Sequence, residues 1–314
     1  MSILSKNQVN FYTVTEKDEN QRLDNLLTKI LKGVPKSYIY RIIRSKEVKI
    51  NNKKCDAFAK VAIGDIIRIP PVKVAAINAP VIPEGSFPIL YEDDYFLIID
   101  KPAGVACHGG SGVSFGVIEQ LRQNYPSAKF LELAHRLDRD TSGVLILAKK
   151  RHALVEIQDI IRNGKINKHY LALTLGRWLD QVRNVKVPLF KYLTAEGERR
   201  VKVDPVNGKF SHTIFSVIKL CDEFTLVKAD IKTGRTHQIR VHLQHLGYPI
   251  AGDSKYGEFD KNKLLAKNGL KRMFLHACYI EFIHPISKEK LIIKSTLPSD
   301  LESFCDKHCI NATK

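Results

Sequence analysis

"HRLDRDTSGVLILAKK", residues 135–150, changes character halfway along. Its first six residues bring together one histidine, two arginines and two aspartates, and a Thr-Ser-Gly turn then leads into the apolar run 144–148. A short, continuous apolar run bounded by turn residues is typical of a buried strand. The charged residues therefore lie on a loop that enters a sheet, which is a frequent location for catalytic side chains.

The two aspartates of this loop have different expected roles. Asp138 follows Leu137, the only apolar residue of the loop, and is therefore expected to face inward. Asp140 directly precedes the turn, where an aspartate caps backbone N–H groups as readily as it performs chemistry, so both interpretations of Asp140 stay open. A buried carboxylate needs a cation or hydrogen-bond donors to remain ionised. The sequence should therefore supply a partner for Asp138.

The best partner stands in "KTGRTHQIRVHLQHLG", residues 232–247. We expect a helix that opens at Thr233 and ends at Gly247, with a buried stripe of Ile239, Leu243 and Leu246. With about 100° per residue, Arg240 falls about 60° from Leu243 on a helical wheel. Its guanidinium borders the buried stripe and is expected to reach an inward-facing carboxylate.

The chain from residue 88 to residue 300 predicts one large domain. Its β-branched apolar runs are "ILYEDDYFLIIDKP", "GVLILAKK", "KHYLALTLG", "HTIFSVIKLC", "FTLVKADIKTG", "LHACYIEFIHP" and "KLIIKSTLP". Their number and composition predict an α+β fold with a large mixed or antiparallel sheet and helices on its faces. Residues 301–314 are expected to form a C-terminal tail.

Residues 20–70 predict a separate, small α/β unit. Leucine and isoleucine spacing indicates two short helices. A lysine-rich hairpin, with its turn expected at "NKK", residues 52–54, and a closing strand follow. The basic side chains on the second helix and the hairpin are Lys36, Arg41, Arg44, Lys53 and Lys54. Such a concentration favours contact with a nucleic-acid backbone, although a solvated surface helix would show the same pattern.

The net charge of +17 supports a polyanionic partner. Residues 1–80 hold 15 Lys and Arg against 7 Asp and Glu, a net of +8, and the remaining residues hold 35 against 26, a net of +9. The charge is therefore densest at the N-terminal end. We expect residues 1–19 to form a loose arm and the proline-rich residues 71–87 to form a stiff linker.

No secretory signal pattern and no run of about 18 apolar residues is present, so we expect no membrane segment. The six cysteines are scattered. Only Cys305, His308 and Cys309 are close in sequence, and the second ligand pair of a zinc site is missing. We therefore expect free thiols, no metal and a cytoplasmic protein.

Three motifs resemble the pseudouridine synthases of the large-subunit ribosomal RNA family. "HRLDRDTSGVLILAKK", "KHYLAL" and "TGRTHQIRVHL" stand in that family's order and at its spacing. The N-terminal unit resembles an S4-type RNA-binding domain, in which two short helices and a hairpin grip folded RNA. The resemblance covers residues 21 to about 298. Loops such as "HGGSGVSFGVIE" and "YGEFD" resemble one particular subtype of the family.

The resemblance implies roles for individual residues. Asp138 would be the catalytic aspartate, Arg240 the basic residue paired with it, and Tyr170 the aromatic side chain packed against the target base. Contacts with RNA are expected from Arg136, Arg235 and His237, in addition to the basic residues of the N-terminal unit.

The implied reaction is the isomerisation of specific uridines in 23S ribosomal RNA, or in a large-subunit precursor, to pseudouridine. The uridine would be flipped into a pocket. Asp138 would act as nucleophile at C1′ or as base at C2′, and the uracil would be rejoined to the ribose through C5. The resemblance implies no metal and no organic cofactor, and we expect a monomer.

Other functions stay open. A synthase of the same family could act on other ribosomal or transfer RNA sites. A non-catalytic assembly factor would bind ribosomal RNA whether or not Asp138 is present. A nucleoside or glycoside hydrolase would use both Asp138 and Asp140 and would release free uracil or sugar.

Overall fold

The computed structural model describes residues 8–31, 33–72, 83–110, 115–195 and 197–308. The chain divides into two compact units, residues 1–81 and 82–314. Each unit has a hydrophobic core of its own. Among the described helices, none combines the length and the apolar character that crossing a membrane requires.

The small unit combines a four-stranded antiparallel sheet with two helices. The strands, in spatial order, are β1 (Asn10–Thr13), β4 (Ile66–Ile69), β2 (Lys49–Ile50) and β3 (Lys53–Lys54). The helices are α1 (Leu23–Ile30) and α2 (Lys36–Arg44). Their apolar faces bury Leu23, Leu26, Leu27, Ile39, Ile42 and Ile43 against the sheet residues Ile67 and Ile69. The two predicted helices and the closing strand are confirmed.

The loose arm predicted for residues 1–19 is wrong for its described part. β1 pairs with β4 from Asn10–Ile69 to Thr13–Ile66. The fully buried carboxylate of Asp18 accepts hydrogen bonds from the Tyr12 hydroxyl at 2.5 Å and the Lys29 ammonium at 3.2 Å. A four-residue strand has too little alternation to be recognised in sequence. The small unit therefore begins about ten residues earlier than predicted.

The hairpin of the small unit also differs in detail from the prediction. The turn was expected at residues 52–54, but Lys53 and Lys54 form β3 and pair with Ile50 and Lys49. The turn residues are Asn51 and Asn52, with φ of 48° and 62°. Asparagine tolerates this left-handed region better than lysine does, so the two asparagines take the turn.

The large unit is built on one mixed sheet of ten strands. These are β5 (Ile89–Glu92), β6 (Phe96–Lys101), β7 (Glu132–Leu133), β8 (Ser142–Ala148), β9 (Ile166–Leu175), β10 (Val182–Lys186), β13 (His212–Leu220), β14 (Phe224–Ile231), β15 (Leu275–Ile283) and β16 (Lys290–Lys294). The order is β10-β13-β14-β9-β15-β8-β6-β5, with β16 beside β15 and β7 beside β8. Only β15 and β8 are parallel. The predicted α+β fold with a large mixed sheet is confirmed.

Helices cover both faces of this sheet. They are α3 (Val117–Asn124), α4 (Arg151–Arg162), α5 (Gln238–His245), α6 (Phe259–Lys267) and α7 (Ser299–His308). The side chains of β8 alternate between the two faces of the sheet. Leu145 and Leu147 pack with α3, α5 and α7 on one face, and Val144 and Ile146 pack with α4 on the other. A separate hairpin, β11 (Leu189–Leu193) and β12 (Arg199–Val203), packs on Val241 of α5.

Three further expectations need correction or restriction. Residues 301–308 are not a tail, because α7 buries Leu301, Phe304 and Cys305 in the core. Cys221 is disulfide-bonded, so the prediction that every cysteine is a free thiol is wrong. Residues 73–82 of the predicted linker lie outside the described residues.

Candidate active site

One cavity of about 460 Å³ in the large unit collects most of the predicted site residues. Most of its wall is formed by four segments: residues 106–108, the loop that leads into β8, the first half of β9, and residues 234–240 after β14. Ile161, Ile231 and Leu275 complete the wall. Asp138, Tyr170, Arg240, Arg136, Arg235 and His237 all line it. Because these segments come from distant parts of the sequence, the sheet rather than local spacing brings them together.

Gly143 sets the position of the catalytic loop. It pairs with Ala277 across the parallel β8–β15 contact, and its φ is +113°. A Cβ atom at this position would lie 2.2 Å from the carbonyl oxygen of Ala277. Only glycine permits this approach, which fixes the start of β8 and the loop before it against β15.

Asp138 faces the cavity, as its position beside Leu137 predicts. The Leu137 side chain is buried, and its backbone N–H donates to the Cys107 sulfur at 3.2 Å. The carbonyl of Asp138 accepts the N–H of Thr141 at 3.2 Å, which closes a turn. With its neighbours fixed in this way, the Asp138 carboxylate is one-quarter exposed and is directed at the cavity.

Arg240 links two carboxylates. Its Nη1 donates to Asp138 Oδ2 at 3.1 Å, while its Nε and Nη2 donate to the two oxygens of Asp253 at 2.7 Å each. Burial alone would lower the pKa of the Arg240 guanidinium, but its bonds to Asp253 and Asp138 raise it above the usual value. The predicted contact between Arg240 and Asp138 is present, and the cation beside Asp138 is permanently charged.

Asp253 is a site residue that the sequence analysis missed. It is fully buried and accepts the backbone N–H groups of Lys255 at 2.8 Å and Tyr256 at 3.1 Å, besides the Arg240 fork. Burial would raise the pKa of this carboxyl, but the bonds from Arg240 hold it below its ordinary value. Asp253 thus fixes the plane of the guanidinium and leaves Nη1 free to meet Asp138. The only sequence signal was an aspartate in a polar loop after α5.

Tyr170 lies on β9 with its ring almost fully buried at the cavity wall. Burial and the charge of Asp138 raise the pKa of its hydroxyl above the usual value. The phenol therefore stays protonated near neutral pH. This supports the predicted packing against a base and disfavours the hydroxyl of the unliganded protein as a proton acceptor.

The helix that carries Arg240 begins later than predicted. α5 starts at Gln238, because Thr233 and the N–H of Arg235 donate to the Gln238 side-chain oxygen and form a turn before it. His237 closes this turn with a left-handed φ of 52°. Arg235 therefore lies outside the helix, and its side chain donates to the carbonyl of Phe210 at 3.0 Å.

His237 stands beside the carboxylate rather than on an open surface. Its Nε2 is 3.9 Å from Asp138 Oδ1, and its Nδ1 is 2.8 Å from the Tyr256 hydroxyl. Burial lowers the pKa of this imidazole, although Asp138 opposes the change. The position of this imidazole beside Asp138 favours a role in the pocket over the predicted contact with RNA.

Asp140 is not among the residues that line the cavity. Its Oδ1 pairs with the exposed Arg139 side chain at 3.2 Å. The two aspartates of the loop therefore have different surroundings, and a pair of carboxylates facing one another across a substrate is not formed. This arrangement disfavours the glycoside hydrolase alternative, which requires both.

Arg136 and Arg235 are exposed at the rim of the cavity, where the β11–β12 hairpin adds further basic residues. The pKa of Lys191 is lowered by partial burial and then by the charges of Arg136, Lys209, Arg235 and Arg199. In the same hairpin, Arg200 and Lys202 are neutralised by Glu198 and Asp204. Sequence analysis did not single out Lys191, Arg199 or Lys209, because their proximity arises only when the hairpin folds back on α5.

The basic residues predicted in the small unit are all exposed. Lys36, Arg41 and Arg44 lie on α2 with their side chains in solvent, and Lys53 and Lys54 form the edge strand β3. The Arg41 guanidinium lies 4.3 Å from the centre of the Tyr38 ring. In the described part of the chain, no three His, Cys, Asp or Glu side chains come together as a metal site would require.

The large mixed sheet thus brings an aspartate, its paired arginine and a tyrosine to one pocket, as the resemblance to pseudouridine synthases implies. Two family models match the chain: RNA pseudouridylate synthase over residues 95–245, and S4 domain over residues 21–67. The first matched range contains the three pseudouridine synthase motifs, and the second coincides with the segment that resembles an S4 domain. The chain belongs to the RNA pseudouridylate synthase family.

Individual relatives indicate the type of synthase within this family. Ribosomal large subunit pseudouridine synthase C of Yersinia pestis is 46% identical over 98% of this chain and 96% of its own length. The protein of the same name from Escherichia coli K12 is 47% identical over 95% of this chain and 96% of its own. The loops resemble those of pseudouridine synthase C, so the predicted subtype is confirmed.

A solved structure supports the fold. The human RNA pseudouridylate synthase domain containing 1 is 26% identical to this chain and superposes with a TM-score of 0.58. The match covers 71% of this chain and 90% of that one.

Proposed function

We propose that this protein converts specific uridines of the large-subunit 23S ribosomal RNA to pseudouridine, with Asp138 as the catalytic carboxylate. The observation that carries this proposal is the contact of Asp138 with a permanently charged arginine in a cavity large enough for a nucleobase. The near full-length similarity to large-subunit synthases supports ribosomal RNA as the substrate over transfer RNA.

The chemistry needs one ionised carboxylate. The N1–C1′ bond of uridine breaks and its electron pair leaves with the uracil. Asp138 then bonds C1′ as a nucleophile or removes a proton from C2′ as a base, and both routes use the carboxylate in its charged form. Arg240 favours that form, and Asp253 holds Arg240 in place. The uracil turns and C5 bonds to C1′, which displaces the Asp138 carboxylate from C1′ in the first route and takes the proton back from Asp138 at C2′ in the second. The proton lost from C5 is balanced by one gained at N1.

Tyr170 supplies an apolar ring against which the uracil packs. A base inside folded RNA has to leave its stack, at a cost of a few kcal/mol, before it reaches such a pocket. Contacts of cations with phosphates offset this cost. We assign them to Arg136, Arg235, Lys191, Arg199 and Lys209 at the rim, and to Lys36, Arg41, Arg44, Lys53 and Lys54 of the small unit.

The wider expectations are part of the same proposal. The small unit, which starts with β1, is the RNA-binding unit, and the large unit, which includes α7, is the catalytic domain. The isomerisation leaves the oxidation state of the RNA unchanged, so it requires no redox cofactor, and the residues assigned above need no metal. We propose a monomer acting in the cytoplasm.

The experiment compares purified full-length Asp138→Asn and Asp140→Asn proteins with wild type on a 23S ribosomal RNA transcript. Pseudouridine is measured by carbodiimide labelling and primer extension, and free uracil by chromatography. We expect Asp138→Asn to lose all detectable product while its RNA affinity stays within about threefold, and Asp140→Asn to remain active. Near-normal product from Asp138→Asn would remove the site assignment. Release of uracil that depends on both aspartates would establish a hydrolase instead.

A further inference from the structure

Two lysines of the large unit are buried, and they differ in what surrounds them. Lys101 and Lys168 are 0% and 8% exposed, and burial lowers the pKa of each ammonium to about 8. Lys101 donates to the carbonyls of Pro102, Val105 and Arg139 at 2.7, 2.8 and 3.0 Å. All three protons of its ammonium therefore have acceptors, and Lys101 serves to hold the loop that carries Asp138.

Lys168 has no such acceptors. Across the described residues, its Nζ takes part in no hydrogen bond and no ion pair, and burial is the only influence found on its pKa. The Lys168 side chain is buried, but its Nζ keeps access to the cavity, where the protein offers it no acceptor. Such a group is a candidate for binding a ligand that brings the acceptor with it.

The position of Lys168 identifies where that ligand lies. It stands two residues before Tyr170 on β9, so the two side chains share one face of the strand, and both line the cavity with Asp138. The Lys168 ammonium lies close to the backbone of Gly234, since a Cβ built on that glycine would be 3.8 Å from Nζ. Lys168 does not contact Asp138, whose cation is Arg240.

We propose that the Lys168 ammonium binds a carbonyl oxygen of the flipped uracil and stabilises the negative charge of the ring while it is detached from the ribose. This inference rests on the proposed function. When the N1–C1′ bond breaks, its electron pair spreads over N1, O2 and O4 of the uracil. A fixed cation in a site that excludes water is well placed to bind that charge.

The symmetry of uracil strengthens this assignment. Turning the ring by half a turn about the line through N3 and C6 exchanges N1 with C5, and it also exchanges O2 with O4. A donor in a fixed position therefore meets a carbonyl oxygen before the turn and another after it. Cytosine lacks this property, because the same turn brings its amino group to the ammonium and leaves the buried cation without an acceptor.

The test uses the full-length protein with Lys168→Met, which keeps the length of the side chain and removes the charge. We expect kcat on the ribosomal RNA transcript to fall on the order of 100-fold while RNA affinity stays within about threefold. The fold should be at least as stable as wild type, because an unpaired buried charge is replaced by an apolar group. Lys101→Met is the matched control and should lower the melting temperature, since it leaves three carbonyls without a donor.

Chemical rescue distinguishes a missing charge from a disturbed shape. Methylamine or ethylamine should restore part of the kcat of Lys168→Ala, which has room for the amine, and should not restore Lys168→Met. Absence of any rescue in a folded, RNA-binding Lys168→Ala protein would overturn the proposal.

The pH dependence of kcat/KM gives a third readout, because it reports the pKa values of the free enzyme. With a pKa of about 8, the ammonium of Lys168 loses its proton as the pH rises, so wild-type kcat/KM should decline above pH 8 and the Met variant should lack this limb. The pKa of Lys101 is also about 8, so the limb belongs to Lys168 only if Lys168→Met removes it. The pKa values of His135 and His237 are lowered, and those of Cys107 and Tyr170 are raised, so none of these four moves towards pH 8.

Failure of this inference is separable from failure of the proposed function. A wild-type protein that makes no pseudouridine would overturn both the proposed function and the role of Lys168. A wild-type protein that makes pseudouridine, with Lys168→Met within threefold of its kcat, would end this inference alone and leave the role of Asp138 in place.

Discussion

At the scale of single residues, the active site depends on one guanidinium shared unequally between two carboxylates. Asp253 takes two of the three bonds and is fully buried, while Asp138 takes one and remains open to the cavity. This unequal sharing of the Arg240 guanidinium has a chemical consequence. The fork to Asp253 fixes the arginine, and the single bond to Asp138 keeps a carboxylate ionised without covering the oxygen that must react.

Substitution of Asp253 by Asn tests this division. Breaking a buried ion pair costs about 3 kcal/mol of unfolding free energy, and a displaced Arg240 should lower kcat about 100-fold. Urea unfolding and single-turnover kinetics measure the two effects. The control is Asp300→Asn, which breaks an exposed fork to Arg272 and should cost under about 1 kcal/mol. Equal effects of the two variants would contradict the account.

The lowered pKa of Asp253 also gives a pH dependence. Its contribution to stability is fully present above the unfolded-state pKa of about 3.9 and is lost as the pH falls through the lower folded-state value. The stability difference between wild type and Asp253→Asn should therefore be constant from pH 5 to 7 and shrink below about pH 4. A difference that grows on acidification would have the wrong sign.

Sequence identified Asp138 and Arg240 but not Asp253 or Lys168, and the reason is physical. Arg240 was visible because a helical wheel places it beside a buried stripe. Asp253 lies in a loop without periodicity, 13 residues after Arg240, and only the fold brings it back. Lys168 stands in a strand where a lysine ordinarily points to solvent, and its burial becomes apparent only when the neighbouring strands and Gly234 are in place.

At the scale of secondary structure, the length of a strand largely determined whether it could be predicted from the sequence. The strands β6, β8, β9, β13, β14 and β15 have five or more residues rich in apolar or β-branched side chains, and all were predicted. β1, β3, β7, β10 and the β11–β12 hairpin have two to five residues and no apolar run longer than two, and they were missed. The late start of α5 was missed for another reason, since a side-chain turn at Gln238 competes with helix formation.

The missed β11–β12 hairpin carries its own prediction. The triple variant Lys191→Gln, Arg199→Gln, Lys209→Gln should flatten the dependence of log Kd on log salt by about 1 for each RNA phosphate that the protein no longer neutralises. At saturating RNA, kcat should stay within about threefold, because none of the three lines the cavity. The measurement is filter binding across a salt series.

Lys267→Gln, an exposed charge on α6, is the matched control for the hairpin and should leave the salt slope unchanged. An unchanged slope in the triple variant would show that the hairpin cations do not touch the RNA backbone.

At the scale of the whole molecule, two units with separate cores divide the work. The small unit holds exposed cations on α2 and β3, and the large unit holds the cavity. The composition already indicated a separate cation-rich unit, because the positive charge is densest in residues 1–80. Binding energy that is the same in the ground state and the transition state lowers KM without raising kcat.

The variant Lys36→Gln, Arg41→Gln, Arg44→Gln in the full chain should therefore raise KM for ribosomal RNA at least tenfold and change kcat less than threefold. Steady-state kinetics on the transcript separates the two parameters. Lys17→Gln, an exposed charge of the same unit away from α2, serves as control. A fall in kcat at unchanged KM would assign α2 to the chemical step rather than to binding.

The most direct test of the central claim maps pseudouridines in 23S ribosomal RNA from cells lacking this protein, complemented with wild type or with Asp138→Asn. Carbodiimide labelling and primer extension locate each modified site. The account predicts that particular pseudouridines vanish in the deletion, return with wild type and stay absent with Asp138→Asn. A map that is identical in all strains would contradict it, and so would sites that return fully with Asp138→Asn.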